Sequence, residues 1–280
     1  PADRAQGYYE ASLAASQEII ESGQYSLYRG NADPGQNFYE AITRMQGNPE
    51  VIWARSFTLE GKYHNFVYEN IPRSLREDNE NSASIAPSLN LVEAFEYLDG
   101  SDGKLRTRDE SGEFIHYDHP ADIFEGKDGR LWGTVVYPGA TFRGAPVDVQ
   151  AGVVRWNEAA GVYEEVTSTE LGSRYEDGGV LVGADGPLTT EHNVTNTGFT
   201  IRKYLDPRSG SGHRGQGSDI WWVRFRYGEV LLNAAEAALE LGRTGEALQY
   251  VNEVRERAGF GPNSLSSITM DRLRNERRVE

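Results

Sequence analysis

Apolar residues recur at helical spacing at both ends of this chain and lose that rhythm across most of the middle. Near the start, Ala5, Tyr8, Tyr9, Ser12, Leu13, Ser16, Ile19 and Ile20 follow an i, i+3/i+4, i+7 order, which predicts one face of an amphipathic helix. Gly23 follows where a left-handed cap is wanted. A second helix is predicted over Gln36 to Met45. Near the other end, Tyr227, Val230, Leu231, Ala234, Ala235 and Ala238 share one face, with Glu229, Asn233, Glu236 and Glu240 opposite. Gly242 stops that helix, and Thr244 is placed to cap the next, which buries Ala247, Leu248, Val251, Val254 and Ala258 and stops at Gly259. So short a turn predicts an antiparallel pair, and its small residues let the backbones approach closely. This is the pattern of a tetratricopeptide-like hairpin. Such a unit cannot cover its own apolar face, so further helices are expected against it. Ser267 to Glu280 opens one.

The middle reads differently. Val51-Ile52-Trp53-Ala54 suits a buried strand, which makes Trp53 a core residue. Thr58 to Leu89 has no sustained period, and a structureless stretch of that length in a compact domain is usually functional or disordered. Its aromatics argue against disorder. Asn90 to Leu98 returns to helical spacing. Leu131 to Tyr137 reads as a strand stopped by Pro138-Gly139. Val153–Trp156 and Val162–Val166 read as a hairpin around Glu158 to Gly161, in which Trp156 fits either side. Residues 172–198 read as loop, and Thr200 to Tyr204 as one more strand. Of Trp221 and Trp222, one is expected to pack beneath the following helix, since neighbours on a strand face opposite ways. Arg208-Ser209-Gly210-Ser211-Gly212 is Gly-rich without the lysine of a phosphate loop and reads as a flexible linker.

Composition narrows the chemistry. The 280 residues suffice for one large domain or two small ones. With 43 Asp and Glu against 28 Lys and Arg, the net charge is −15, and a surface so acidic repels phosphate backbones, which disfavours nucleic acid as a partner. There are no cysteines, so disulfides, thiolate metal sites and a Cys nucleophile are excluded. No apolar run is long enough to span a membrane as a helix, and no signal peptide is present. Both ends look cut, and the chain reads as a fragment. The five His form no H-E-x-x-H and there is no G-x-S-x-G elbow. Asp99-Gly100-Ser101-Asp102-Gly103 is dense in hard oxygen donors that suit Ca²⁺, but its spacing is not that of an EF-hand, and a plain turn accounts for it. No other cofactor is indicated.

Several segments together resemble the SusD/RagB family. Arg226-Tyr227-Gly228-Glu229-Val230-Leu231-Leu232-Asn233-Ala234-Ala235-Glu236-Ala237 is similar to that family's R-x-A-E-v-x-L-n-x-A-E-A helix. Val251-Asn252-Glu253-Val254-Arg255-Glu256-Arg257-Ala258-Gly259 resembles its i-N-x-v-R-x-R-A-G helix, and Leu273 through Glu280 its L-x-x-E-R-R-x-E helix. Leu91 to Gly100, Val135 to Gly139 and Arg202-Lys203-Tyr204 fall in the family's order. Gly228 departs from the family's Ala. The resemblance implies a mainly α, SusD-like fold with tetratricopeptide-like hairpins and a loop-rich half holding a few short strands. It implies one domain fragment over 1–280, with a helix at 1–24, a ligand-binding region at 25–220 and helices at 221–280. It further implies non-catalytic capture of oligosaccharides or polysaccharides at the outer membrane of Bacteroidetes-type bacteria, by a lipoprotein whose anchor is absent from this fragment. The partner would be a SusC-like TonB-dependent transporter. RagB-like members leave a peptide cargo open.

A sugar ring offers hydroxyls that need paired donors and acceptors, and C–H faces that pack on aromatic rings. Tyr63, His64, Asn65, Phe66, Tyr68 and Arg73 in the aperiodic stretch offer that mixture, and Trp132, Tyr137 and Arg143 a second set. The candidate ligand-binding residues are therefore Tyr63, His64, Asn65, Tyr68, Arg73 and Trp132, each of which also suits an ordinary core. Two other classes stay open. A tetratricopeptide-type scaffold for a protein or peptide would show a helical groove and no aromatic platform. A glycan-active hydrolase would depend on one carboxylate.

Overall fold

The computed structural model describes residues 2–189 and 192–280. In chain order its elements are α1 (Ala2–Glu21), α2 (Pro34–Thr43), β1 (Val51–Arg55), α3 (Phe66–Asn70), α4 (Leu89–Val92), α5 (Gly129–Thr134), β2 (Val135–Val136), β3 (Thr141–Phe142), β4 (Ala145–Pro146), β5 (Gly152–Asn157), β6 (Val162–Thr167), β7 (Thr200–Ile201), β8 (Trp222–Arg226), α6 (Tyr227–Glu240), α7 (Thr244–Arg257) and α8 (Met270–Val279). The long helices stand at the two ends of the sequence and the short elements between them, as the loss of periodicity predicts.

The terminal helices share one core. Leu13 of α1, Leu231, Ala234, Ala235 and Ala238 of α6, Ala247, Val251 and Val254 of α7 and Leu273 of α8 are all buried in it. The apolar face of the α6–α7 hairpin is thus covered by α1 on one side and α8 on another, which meets the need for further helices. Thr244 starts α7 rather than capping it, and Arg243 at the cap makes no side-chain bond to the helix.

A buried ionic network ties these helices to the rest of the chain. Arg257 and Arg226 both pair with Glu50, at 3.1 and 2.6 Å, and both also pair with Glu280. Arg130 pairs with Asp128, Glu276 and Glu280 at 2.6, 2.8 and 3.1 Å. Arg255 bridges Glu276 and Glu96. Charges withdrawn from water persist only when paired and hydrogen-bonded, and each of these is. Gly228 sits against the network: a Cβ there would come within 2.6 Å of the Arg226 guanidinium and 2.7 Å of the Glu280 carboxylate. That close approach explains the missing methyl at the position where the resemblance favours Ala.

Among the described residues the sheets are four separate antiparallel pairs: β1 with β8, β2 with β7, β3 with β4 and β5 with β6. The β5–β6 hairpin has the predicted position, and its register sets Asn157 opposite Val162. Trp156 there is exposed and meets Tyr163 edge-on at 5.1 Å. Pairing of β1 with β8 brings residues 51–55 to the start of α6, with Trp53 opposite Phe225 and Arg55 opposite Trp222.

Several expected elements differ. Trp53 is not core: the residue is 66% exposed, and the register of β1 is irregular on both sides of it. Leu131–Tyr137 is not one strand. Asp128 accepts from the Arg130 N–H and starts α5, which holds Trp132, and only Val135–Val136 is extended. An apolar run without alternation cannot separate strand from buried helix. Helix α4 stops at Val92, although Phe95 remains fully buried, and Leu98 is exposed. The strand at Thr200 ends at Ile201, since Tyr204 adopts a φ of 69°. Neither Trp221 nor Trp222 belongs to the helical core. Phe225 packs there instead. The loop reading of 172–198 holds for its described residues, and 190–191 lie outside them.

Candidate functional site

The loop that follows β1 folds back tightly, with Thr58 and Lys62 exchanging backbone hydrogen bonds of 3.0 and 3.2 Å. It then runs beside the segment that leads into β8. There His64 and Ser218 exchange backbone bonds of 3.0 and 2.9 Å. The Tyr63 ring lies on Gly217. This glycine has a φ of 62°, and a Cβ on it would collide with the ring and stand 2.7 Å from the His64 carbonyl oxygen. The aromatic loop and the glycine-rich loop meet only because residue 217 has no side chain. Between them opens a cleft of about 420 Å³, lined by Leu59 on one side and by Asp206, Arg208, Ser209 and Gly215 to Gly217 on the other.

The lining of the cleft is aliphatic and polar; half-buried aromatic rings cluster beside it, around the His64–Ser218 pairing. Trp222 stacks on Tyr204 with centroids 4.1 Å apart and planes inclined by 12°. Phe66 meets Trp222 edge-on at 5.3 Å, and His64 meets Phe57 at 4.7 Å and Trp222 at 6.2 Å. The His64 Nε2–H donates to the Ile220 carbonyl at 2.9 Å, so the ring orientation is fixed from the β8 side. Aromatic pairs in such edge-on and offset geometries contribute about 0.5–1.5 kcal/mol beyond their buried area.

The far wall is pinned rather than flexible, which corrects the linker reading of Arg208–Gly212. Glu77 accepts the N–H groups of Gly210 and Gly212 at 2.5 and 2.7 Å and pairs with Arg143 at 3.0 Å. Burial would raise the Glu77 carboxyl, but the Gly210 N–H, Arg143 and the Gly212 N–H outweigh it and hold it below its ordinary value. Asp78 accepts the Arg214 N–H at 2.6 Å and faces His213 Nδ1 at 3.3 Å. The Arg214 N–H and then His213 lower its carboxyl as well. Glu80 accepts from Arg214 at 2.9 Å and from the Tyr68 hydroxyl at 2.6 Å. Residues 77–80 thus form an acidic strap that sets the course of residues 208–217. At the cleft itself, the buried Asp206 accepts from Arg208 Nε at 2.9 Å and from the Ser218 hydroxyl at 2.7 Å, and Arg208 also pairs with Asp219.

The predicted site residues therefore separate. Tyr63, His64 and Asn65 lie together on the loop beside the cleft, where the Tyr63 ring meets Gly217 and Asn65 is exposed, but none of the three is in its lining. Tyr68 is only 5% exposed, and its hydroxyl supports the strap through Glu80. Arg73 reaches the Ala184 carbonyl at 3.1 Å. Trp132 belongs to a second cleft of about 290 Å³, beside Asp33 to Gly35 and Phe124 to Gly129. One face of its ring is covered by the Arg202 guanidinium, 3.4 Å from its centroid. The second set divides too: Tyr137 shares the Trp132 cleft, whereas Arg143 braces the strap. Sequence reasoning missed Phe57, Tyr204 and Trp222 as members of the aromatic cluster. They are distant in sequence: the β1–β8 pairing brings Phe57 towards Trp222, and the Tyr204 hydroxyl donates to the Val223 carbonyl of β8 at 3.0 Å. In the Asp99 turn, Asp99 Oδ1 accepts from the Ser101 N–H and hydroxyl and its other oxygen pairs with Arg106. No group of three or more His, Asp or Glu side chains among the described residues could hold a metal ion.

Residues 49–280 match the model of the SusD family. The chain belongs to the SusD family. A 91-residue stretch is 38% identical to SusD-like protein P2 of Formosa agariphila, covering 29% of this chain and 18% of that protein. A SusD-like protein of Bacteroides fragilis superposes with a TM-score of 0.62 at 24% identity, over 97% of this chain and 48% of its own. A SusD-like carbohydrate-binding protein of the same species superposes with a TM-score of 0.64 at 21% identity, over 98% of this chain and 46% of its own. The chain thus spans about half the length of the solved structures it matches. At these identities the superpositions establish the fold, which is mainly helical with short strands. No helix among the described residues is long and apolar enough to cross a membrane.

Proposed function

We propose that this chain is part of a non-catalytic glycan receptor, and that the cleft between the Tyr63–Asn65 loop and Asp206–Gly217 contacts the oligosaccharide. The observation that carries this reading is the meeting of an aromatic loop with a pinned polar one: the Tyr63 ring lies on Gly217 at the edge of a cleft whose lining offers Arg208, Ser209 and Gln216, and a sugar presents surfaces for both. Family membership and the carbohydrate-binding relative support it. In the same reading the protein works at the outer membrane as a surface-exposed lipoprotein and delivers its ligand to a SusC-like TonB-dependent transporter. Asp206, which lines the cleft, and Asp219 are both engaged by Arg208, an arrangement that holds them ionised beside a cation rather than as proton donors. Capture without cleavage accords with that arrangement.

Native electrophoresis of the chain through gels containing single polysaccharides, with product analysis of the same mixtures, tests this reading. At least one glycan should retard the protein, no shortened product should form, and chelation of divalent ions should leave retardation unchanged. Cleavage products would place the hydrolase reading ahead. Passage of the folded chain through every glycan unretarded would favour a protein- or peptide-binding scaffold.

A further inference from the structure

We infer that the cleft takes an uncharged glycan and discriminates against sulfated and uronate polysaccharides, an inference that rests on the glycan reading above. A polyanion is recognised by guanidinium or ammonium groups offered to its sulfate or carboxylate oxygens. Here the cations of the glycine-rich wall are already matched. Arg208 lies between Asp206 and Asp219, Arg214 pairs with Glu80 at 2.9 Å, and His213 faces Asp78. Arg143, behind that wall, pairs with Glu77. On the aromatic wall the Arg55 guanidinium lies over the Phe57 ring, 5.2 Å from its centroid. Acidic residues outnumber basic ones over the two walls and the strap taken together, in a chain that carries a net charge of −15. Lys62 is exposed at the tip of the aromatic loop, but at the glycine-rich wall an incoming sulfate would have to displace a carboxylate from an arginine that two acids already hold, against the field of the remaining acids. A neutral sugar meets no such opposition. Its hydroxyls can donate to the carboxylates that hold Arg208 and pair with Asn65, Ser209 and Gln216, while its C–H face rests on Tyr63.

The experiment titrates the intact chain at low ionic strength, where screening is weakest. The neutral probes are xyloglucan, laminarin and galactomannan, and the anionic ones alginate, polygalacturonate and a sulfated galactan. Saturable binding of a neutral probe with none of an anionic one is the expected result. In Asp219→Asn, which leaves Arg208 with Asp206 alone, retention on an anionic probe should appear and vanish again with added salt. Saturable binding of an anionic probe by the unaltered chain would overturn the inference while leaving the glycan reading intact. Failure of every probe to bind would count against the glycan reading itself. Should Asp219→Asn lose neutral binding without gaining anionic binding, charge matching is not what selects the ligand and the inference fails.

Discussion

The helical end and the loop-rich middle of this molecule use the same pair of ions, arginine and carboxylate, for different ends. In the helical end the pairs are fully buried and join residues remote in sequence, as Glu50 joins Arg257 and Arg226. They fix how α6, α7 and α8 sit against β1 and α5. In the middle, carboxylates of the 77–80 strap lie nearer the surface and spend much of their bonding on backbone N–H groups of a glycine-rich loop. There the charges set the shape of a surface rather than the packing of a core. One region can therefore be damaged with loss of folding and little change in recognition, and the other with the reverse.

The largest effect should come from the buried network. Glu50→Ala leaves Arg257 and Arg226 to share Glu280 and should lower stability by about 3–5 kcal/mol in urea unfolding, as expected when one partner of a buried pair is removed. Ligand affinity of the folded fraction should stay unchanged. Gly217→Ala reverses the pattern. Strain at a positive φ and the collision with Tyr63 should cost ~1–3 kcal/mol. Affinity should fall at least about tenfold, a change of roughly 1.4 kcal/mol in binding.

Gly228→Ala sharpens the account of the network by the sign of a smaller change. Helix propensity alone would stabilise α6 by up to about 1 kcal/mol, but the added methyl intrudes on the Arg226 and Glu280 side chains. Calorimetry should show a lower, not a higher, melting temperature.

The smallest effect is that of pH on the strap. The carboxyls of Glu77 and Asp78 lie below their ordinary values in the folded chain, so their contribution is complete above the usual carboxylate range near ~4 and is lost as pH falls through the folded values. Amide exchange in residues 208–217 should accelerate over that lower window, and less so in Glu77→Gln, where part of the linkage is already gone.

The helices were legible because they obey one period. The faces built on Leu231, Ala235, Val251 and Val254 needed only a 3.6-residue count. The β5–β6 hairpin was legible from alternation and its turn. Of the cleft's surroundings only the adjoining aromatic loop was legible: Tyr63, His64 and Asn65 adjoin in sequence, so composition alone marked them. The other wall was hidden, since a run such as Arg208–Gly212 looks like a linker until Glu77 and Asp78, more than a hundred residues earlier, pin its N–H groups. Trp53, Tyr68 and Trp132 show the limit of reading single aromatics. Residue type sets that such a ring tends to be covered or used, and only the register of β1, the hydroxyl partner of Tyr68 and the start of α5 at Asp128 set which.

The central claim is that ligand contacts the Tyr63 wall and not the Trp132 cleft. Isothermal titration of Tyr63→Ala and Trp132→Ala with the polysaccharide that the intact chain binds most tightly tests it directly. Affinity should fall about tenfold or more in Tyr63→Ala, as lost aromatic contact would require, and remain within about twofold in a folded Trp132→Ala. Unchanged affinity in Tyr63→Ala together with loss in Trp132→Ala would contradict the account and move the site to the second cleft.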